Sequence, residues 1–409
     1  MTSTALPART DPALVHWRNA VFAVFALSGF VFANWAARVP NMRDLLGATT
    51  QEMGVLILGL SAGAMLGLIA SGHVVAHLGA TAAIRWFLGL TAVGLVAIGL
   101  IAGFAPSYWA LFAALMVLGA GNSVLDVAMN LSGAANERRI GKTLMPAFHA
   151  GFSVGTMLGA GLGALTEQLG VAAGVHLTAV GVAVLLASLY VVKFLQPAEE
   201  PREAVAGERA GWRTRLAAWT DVRVLLIGLI ILGMAFTEGT ANDWLGLAMV
   251  DGYGLTNPGG AAVFAVFVTA MTVGRFCGGM FLDRFGRVPV LAGSALLALV
   301  GLLLVILGPT APVAIVGTVL WGVGASLGFP VGMSAAADDP EKATANVAVV
   351  ATVGYCAFLI GPPLIGLLGE NVGLRNAFYV VLVLVAIALV CSPAARKPGS
   401  ARAPQADAG

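Results

Sequence analysis

Long apolar stretches separated by short polar segments run through the whole chain. Twelve of these stretches have about the 20 residues that a helix needs to cross the hydrocarbon core of a bilayer. They predict membrane-spanning helices at 18–38, 51–74, 84–105, 108–131, 145–166, 172–194, 223–247, 259–282, 288–309, 311–335, 344–368 and 374–392. The alternation of apolar and polar residues that marks membrane β-strands is missing, so the pattern predicts an all-α membrane protein.

The composition favours the same class of protein. Apolar residues make up 59% of the chain, charged residues only 10%, and the mean hydropathy is +0.91. A soluble domain carries about 25% charged residues, so lipid has to cover much of this surface. The net charge of +2 and the lack of a basic tract predict no nucleic-acid partner. Cys277, Cys356 and Cys391 have no metal-ligand spacing, and we expect no metal and no cofactor.

Basic residues predict the orientation of the spans. The first residues lack the short apolar core of a secretory signal, so the first apolar stretch is predicted to be a retained helix. With the N-terminus inside, the inner loops collect most Lys and Arg residues, and the outer loops keep only Arg38, Arg43 and Arg375. By the positive-inside rule, this asymmetry predicts an inner-membrane protein with both termini in the cytoplasm.

The chain is predicted to consist of two related halves. The charged segment 196–222 is typical of a cytoplasmic linker between an N-terminal half, 1–195, and a C-terminal half, 223–409. Each half has a glycine near the end of its second span, Gly72 in one and Gly279 in the other, and the fourth and tenth spans share a Gly-x-Gly step. Two pseudo-symmetric six-helix halves with a site between them near the midplane form a transporter architecture.

The segment GMFLDRFGRV, at the end of the eighth span, carries Asp283, Arg284 and Arg287. It resembles the signature loop of the major facilitator superfamily, and the resemblance in topology covers nearly the whole chain. This resemblance implies the major facilitator fold and transport by alternating access. The first-half copy is degraded, because Ala76 and His77 stand where Asp and Arg are expected.

A second, shorter resemblance concerns LDVAMN in the fourth span, which contains Asp126 and Asn130. This stretch is similar to the acid-x-x-x-Asn stretch of the fucose-permease-like sugar:proton symporters. The resemblance implies a sugar as solute and protons as the coupling ion. The first span departs from that group, since it offers Asn34 where an acidic residue is expected. We therefore assign Asn34 to the substrate cavity.

Ionisable groups inside a bilayer are costly, so each of them is a functional candidate. Asn122, Asp126 and Asn130 follow at i, i+4 and i+8 and share one helical face, which we expect to line the cavity. A stripe that only holds helices together is the alternative. His149, in the fifth span, should lie at the depth of Asp126, and the pair is a candidate for proton transfer. The alternative is a histidine that only bonds a backbone carbonyl.

The seventh span carries a second polar group in the sequence FTEGTANDW. Glu238 lies deep in the span, and with Asp126 it is predicted to couple transport to protons. Asn242, one turn further on, is assigned to the substrate cavity. Asp243 is assigned with Arg38 to the outer mouth, where the two side chains can pair.

Two further positions complete the candidate residues. Trp321, in the tenth span, is a candidate for stacking on a solute in the cavity. Arg275 precedes the signature loop in the same span, where it is either the counter-charge of a buried acid or a residue that reaches the cytoplasmic surface. With Asp283, Arg284 and Arg287 it is assigned to a conformational latch, whose charges bridge neighbours in one state and separate in the other.

These features favour a secondary active transporter that works as a monomer by alternating access. Proton-coupled import of a small polar solute, a sugar or a sugar-like compound, is the preferred interpretation. A proton-driven exporter of drugs or metabolites is the nearest alternative, and a transport-inactive membrane receptor is an alternative of another class. The chain has no nucleotide-binding loop and no hydrolase motif, so we expect no enzymatic activity.

Overall fold

The computed structural model describes residues 11–142, 144–196, 217–339 and 342–397. Every regular element in these ranges is a helix, and twelve helices are long and apolar enough to cross a membrane. The predicted all-α class and the twelve predicted spans are therefore confirmed.

The spans are longer than predicted at several ends. The first six are Pro12–Ala36, Thr50–Leu78, Ala80–Phe104, Tyr108–Ile140, Met145–Gln168 and Ala173–Phe194. The last six are Val222–Tyr253, Asn257–Phe285, Arg287–Leu307, Ala311–Ala336, Ala343–Val372 and Leu374–Ala395. A short amphipathic helix, Val39–Leu46, lies between the first and second spans.

Local signals in the sequence explain where the first spans begin. Pro12 is the first residue of the first span, and the Asp11 side chain accepts a hydrogen bond from the backbone N–H of Ala13. Thr49 and Glu52 form a capping box at the start of the second span, in which each side chain bonds the backbone N–H of the other residue. These caps satisfy N–H groups that have no partner within the helix.

The described residues divide into two compact units. The first takes its residues from Met1–Ala206 and Thr256–Ala265, and the second from Gly207–Leu255 and Val266–Gly409. The predicted linker, 196–222, lies outside the described residues over 197–216, so its boundaries remain a prediction.

Corresponding helices pair in the same way within each unit. In the first unit, the first span packs against the fifth, the third against the fourth, and the third against the sixth. In the second unit, the seventh span packs against the eleventh, the ninth against the tenth, and the ninth against the twelfth. These three pairings are thus repeated, as expected for two pseudo-symmetric six-helix halves.

Glycines bring the first and fifth spans into close contact. A Cβ atom placed on Gly155 would lie 2.0 Å from the carbonyl oxygen of Ala26, and one on Gly159 would lie 2.6 Å from that of Phe30. Such distances leave no room for any side chain. The glycine row of the fifth span therefore allows the two helices to pack closely.

Three spans of the second unit are interrupted helices. In the seventh span, the α-helix changes to a π-helix over Ala241–Leu245 and then continues to Tyr253. The tenth span, predicted as one helix, consists of Ala311–Ala325 and Gly328–Ala336 with a break between them. The twelfth span is interrupted at Phe378.

The two signature-loop copies form the same turn. Gly79 ends the second span with φ +76°, and Gly286 ends the eighth span with φ +78°. Both backbone N–H groups bond the carbonyl four residues earlier, and the next span starts directly after each glycine. Only glycine adopts this positive φ without strain, so the turn is kept where the charges of the first copy are lost.

Candidate functional site

The polar face predicted for the fourth span contains two pairs of bonded side chains. The Ser28 hydroxyl donates to Asn122 Oδ1 at 2.7 Å. Asn130 Nδ2 donates to the backbone oxygen of Asp126 at 2.8 Å and to Asp126 Oδ1 at 3.3 Å. Asp126 is exposed, and no described cationic side chain contacts its carboxylate. The face therefore presents a carboxylate between two amides.

The imidazole of His149 lies against an aromatic side chain of the first span. Its ring packs edge-on against Phe25, with 5.2 Å between the ring centroids, and Phe25 also stacks with Phe148 at 5.8 Å. His149 is exposed, whereas the two phenylalanines are buried. The proposed proton transfer between His149 and Asp126 remains a prediction.

In the second unit, Glu238 and Arg275 form an ion pair between the seventh and eighth spans. Arg275 Nη2 lies 3.0 Å from Glu238 Oε1 and 3.1 Å from Oε2. Arg275 Nε also lies 3.4 Å from the carbonyl oxygen of Ser326, at the break of the tenth span. The Glu238 side chain is 18% exposed and that of Arg275 is 27% exposed, so neither charge is completely buried. Arg275 is thus the counter-charge of Glu238, as one of its two alternatives predicted, and its assignment to the latch stays a prediction.

Asn242 and Asp243 lie in the π-helical segment of the seventh span, one turn after Glu238. Both side chains are half-buried. π-helical turns are rare and occur frequently at functional sites, where they change the direction of the side chains that follow. No local signal in the sequence marks this turn, since Ala241–Leu245 contains neither Pro nor Gly.

Asn34 does not line a cavity. It is 0% exposed, and both ends of its amide are bonded: Nδ2 donates to the carbonyl oxygen of Phe30, and Oδ1 lies 2.8 Å from His176 Nε2. The other ring nitrogen of His176, Nδ1, accepts a hydrogen bond from Arg38 Nε at 3.0 Å. Because arginine can only donate, His176 carries its proton on Nε2 and donates it to Asn34. The assignment of Asn34 to the substrate cavity is therefore wrong.

Arg38 is the centre of this buried cluster, and it is 1% exposed. Its Nη1 forms an ion pair with Glu167, and its Nη2 donates to Thr166 Oγ1 at 2.9 Å and to the carbonyl oxygen of Val171 at 3.0 Å. Asn41 Nδ2 donates to the second oxygen of Glu167. Burial lowers the pKa of the Arg38 guanidinium to about 10, which leaves it charged at neutral pH. Within the first unit, the partner of Arg38 is Glu167, and the predicted pairing of Arg38 with Asp243 stays a prediction.

Trp321 is also a packing residue and not a cavity residue. It is 0% exposed, and its indole contacts Phe267 and Phe378 edge-on, with centroids 5.5 and 5.6 Å away. Gly301 packs directly against its backbone. The hydrophobic surroundings explain the position of the ring, and they leave no face of it for a solute.

The residues of the predicted latch differ in their contacts: Arg287 forms an ion pair, whereas Arg284 and Asp283 are exposed. Arg287 Nη1 lies 2.6 Å from Asp338 Oδ1, and Arg223 Nη2 lies 2.8 Å from Asp338 Oδ2, so one carboxylate bridges two arginines. Arg284 is exposed, with its guanidinium 5.3 Å above the ring of Phe285, and Asp283 is exposed as well. Within the second unit, the acid that holds Arg287 is therefore Asp338, which the sequence pattern did not single out.

Several residues of these clusters were not predicted, although the sequence contained a signal for one of them. His176 is an ionisable residue inside an apolar stretch, and the rule that selected Asp126 applies to it equally. Glu167, Arg223 and Asp338 lie near span ends, where charges are common and carry no such signal.

Comparisons with known proteins agree with this architecture. The family model described as Major Facilitator Superfamily matches residues 20–261 and 235–408. The chain is 32% identical over 383 residues to the uncharacterized transporter y4wD of Sinorhizobium fredii, covering 93% of this chain and 98% of the relative. It is 26% identical over 385 residues to the membrane protein MosC of Rhizobium meliloti, covering 94% and 91% of the two chains.

Solved structures of the same fold include transporters of different solutes. The nucleoside transporter NupG has a TM-score of 0.69 at 14% identity and covers 93% of this chain and 98% of its own. The fucose:proton symporter FucP of E. coli has a TM-score of 0.59 at 17% identity and covers 92% and 99%. At these identities the likeness concerns the fold alone.

Proposed function

Since the chain belongs to the major facilitator superfamily and is a membrane transporter, we propose that it moves a small polyhydroxylated solute together with protons. The observation that carries this proposal is the polar face of the fourth span. A carboxylate without a described cationic partner lies there between two amides, inside a helix long and apolar enough to cross a membrane.

Asp126 is the proton carrier in this proposal. A carboxylate inside the hydrocarbon region is costly when it is charged and unpaired, and it loses this cost when it binds a proton. Only the amide of Asn130, on the same helix, bonds its carboxylate among the described residues. Asp126 can therefore take up a proton without first breaking an ion pair. The exposed imidazole of His149 is the group proposed to exchange protons with it.

The donor and acceptor atoms on this face that the bonds above do not use can form hydrogen bonds with hydroxyl groups of a solute. Asn122 uses Oδ1 for Ser28, so its Nδ2 remains available as a donor. Asn130 uses Nδ2 for Asp126, so its Oδ1 remains available as an acceptor. A hydroxyl group both donates and accepts, and a solute with several hydroxyls can satisfy the amide nitrogen, the amide oxygen and the carboxylate together. Sugars and nucleosides have this chemistry.

Glu238 is proposed as the second coupling acid. Unlike Asp126, it forms an ion pair. Its charge is neutralised by Arg275, and a proton on Glu238 would remove the main attraction for that guanidinium. Arg275 would then be free to bind an oxygen of the solute. Asn242 and Asp243, one turn further along in the π-helical segment, are proposed to contribute polar groups to the same binding event.

Two named neighbours support this assignment by analogy. FucP is described as a fucose:proton symporter, and another solved structure of the fold is a D-xylose-proton symporter, with a TM-score of 0.69 at 12% identity. For this chain we propose the inner membrane as location, with both termini in the cytoplasm. Monosaccharides and nucleosides are accordingly the first solutes to test.

The test starts from the purified full chain. A thermal-shift screen against monosaccharides, polyols and nucleosides identifies ligands, since a compound that binds the folded state raises its apparent stability. A positive compound is then supplied to proteoliposomes in the presence of a pH-sensitive dye. Solute-dependent alkalinisation outside the vesicles, lost in Asp126→Asn and kept in the matched control Glu370→Gln, supports proton symport through Asp126. Solute uptake without proton movement in the unmodified protein would reject the coupling.

A further inference from the structure

Two histidines lie side by side at the end of the second span. His73 and His77 are one helical turn apart, and their ring centroids are 4.0 Å from each other. Both side chains are exposed, and they precede Gly79, where the first signature-loop copy turns. The pair thus lies where the first copy has lost its charges, with His77 at the position that Arg284 takes in the second copy.

One of these rings has a defined tautomer. His77 Nδ1 lies 2.8 Å from the backbone oxygen of His73. A carbonyl oxygen can only accept, so Nδ1 carries the proton and Nε2 keeps a lone pair for a ligand. Histidines that bind metals usually donate their second ring N–H to a carbonyl in this way, which fixes the ring and increases the basicity of the ligating nitrogen.

We propose that His73 and His77 form a two-imidazole binding site for a divalent transition-metal ion. Side chains at i and i+4 of a helix project to the same side, and a metal bound at about 2.0–2.1 Å from each nitrogen brings the two nitrogens to about 3 Å. The ring centroids are 4.0 Å apart, so the two imidazoles are close enough to share one ion. The protein supplies only these two ligands, because no third His, Cys, Asp or Glu joins the pair among the described residues.

The two imidazole ligands determine which metal ions the site can bind. Imidazole nitrogen binds Cu²⁺, Ni²⁺ and Zn²⁺, whereas Mg²⁺ and Ca²⁺ require oxygen ligands. Cu²⁺ binds a given nitrogen site most tightly of the first-row divalent ions. Water or a small chelator has to supply the remaining positions, so the site fits an ion that is delivered with part of its coordination shell occupied.

The probe is copper(II) iminodiacetate, which leaves coordination positions for two imidazoles and binds weakly to a single one. Tag-free, detergent-purified full chain is titrated by calorimetry, and continuous-wave electron paramagnetic resonance counts the coordinated nitrogens. We expect saturable binding of one copper ion per chain, and a paramagnetic resonance spectrum that shows two coordinated imidazole nitrogens. His73→Ala and His77→Ala should each weaken binding about 100-fold, since the second ligand acts at a high effective concentration. Both residues are exposed, so the melting temperature should not change.

Two controls separate this site from unspecific binding to surface histidines. His16 is exposed and lies against Phe194, so His16→Ala should bind the probe like the unmodified protein. The double variant Gly72→His/His73→Ala keeps the number of histidines but moves one of them to another side of the helix; Gly72 has open space around it. This variant should lose the tight binding. Unchanged binding in it, or in His77→Ala, would overturn the proposal, as would the absence of saturable binding.

Discussion

The guanidinium of Arg38 and the carboxylate of Glu167 form an ion pair inside the first unit, where the side chains are 1% and 8% exposed. Arg38 lies just after the first span and Glu167 near the end of the fifth, so the pair connects two helices that also pack through glycines. His176 and Asn34 extend the same cluster to the sixth span and back to the first. The cluster therefore joins three spans of one unit.

Glu167→Gln should destabilise the folded protein strongly. Removing one partner of a buried pair leaves the other charge uncompensated, which costs about 3–5 kcal/mol. We expect a clear drop in the melting temperature of the detergent-purified protein. Asp44→Asn is the matched control, because it breaks the neighbouring and more exposed Arg43–Asp44 pair, for which less than about 1 kcal/mol is expected. Equal melting temperatures for both variants would contradict a stabilising role of the Arg38 cluster.

Gly155→Ala should separate the first and fifth spans. The new methyl group would lie 2.0 Å from the backbone oxygen of Ala26, so the helices have to move apart at a cost of about 1–3 kcal/mol. Gly161→Ala, in the same helix, meets no atom within 4 Å and should be neutral or slightly stabilising, since alanine favours the helix. Thermal unfolding of the two variants side by side tests this, and a loss of stability in Gly161→Ala alone would contradict the packing argument.

The helical fold could be predicted well because its signals are local. Each of the twelve spans is visible in one stretch of sequence, and the length of a spanning helix follows from the thickness of the bilayer. The interruptions were missed for two different reasons. The break after Ala325 has a local signal, since the ring of Pro330 conflicts with a helical carbonyl at Ser326, but hydropathy alone does not register it. The π-helical segment Ala241–Leu245 has no such signal.

Candidate site residues were predicted less well, because their roles depend on distant partners. Asn34 and Trp321 were assigned to a cavity by residue type and depth, yet one is bonded to His176 and the other is enclosed by two phenylalanines. Glu238 and Arg275 were both singled out by their charge, but their pairing joins residues 37 positions apart. A single sequence shows which polar residues lie in a span and not which of them bond each other.

Asp338→Asn and Asp283→Asn should affect different properties. Asp338 bridges Arg223 and Arg287 and is 8% exposed, so its loss leaves two arginines without their acid and should lower the melting temperature. Asp283 is exposed at the end of the eighth span, so Asp283→Asn should leave the melting temperature and the solute affinity almost unchanged. We expect it to slow the exchange between conformational states, measured by the rate of solute counterflow.

An exposed acid outside the latch provides the comparison for both variants. Glu370→Gln, at the end of the eleventh span, should change neither the melting temperature nor the counterflow rate. The proposed latch role of Asp283 would be rejected if its variant lost solute binding while it remained folded. A melting temperature of Asp338→Asn equal to that of the unmodified protein would show that the two-arginine bridge adds no stability.

Asp126→Asn and Glu238→Gln should both abolish proton-driven accumulation of the solute, but only the second should disturb an ion pair. Glu238→Gln leaves Arg275 without its counter-charge and should lower the melting temperature. The double variant Glu238→Gln/Arg275→Gln removes both charges, so it should regain the melting temperature that the single variant loses. Asp126 has no such partner among the described residues, and Asp126→Asn should keep its melting temperature. Counterflow needs no net proton movement and should persist in Asp126→Asn. Gradient-driven uptake that survives in both single amide variants would exclude these two acids as the proton carriers and leave Asp243 as the next acid to test.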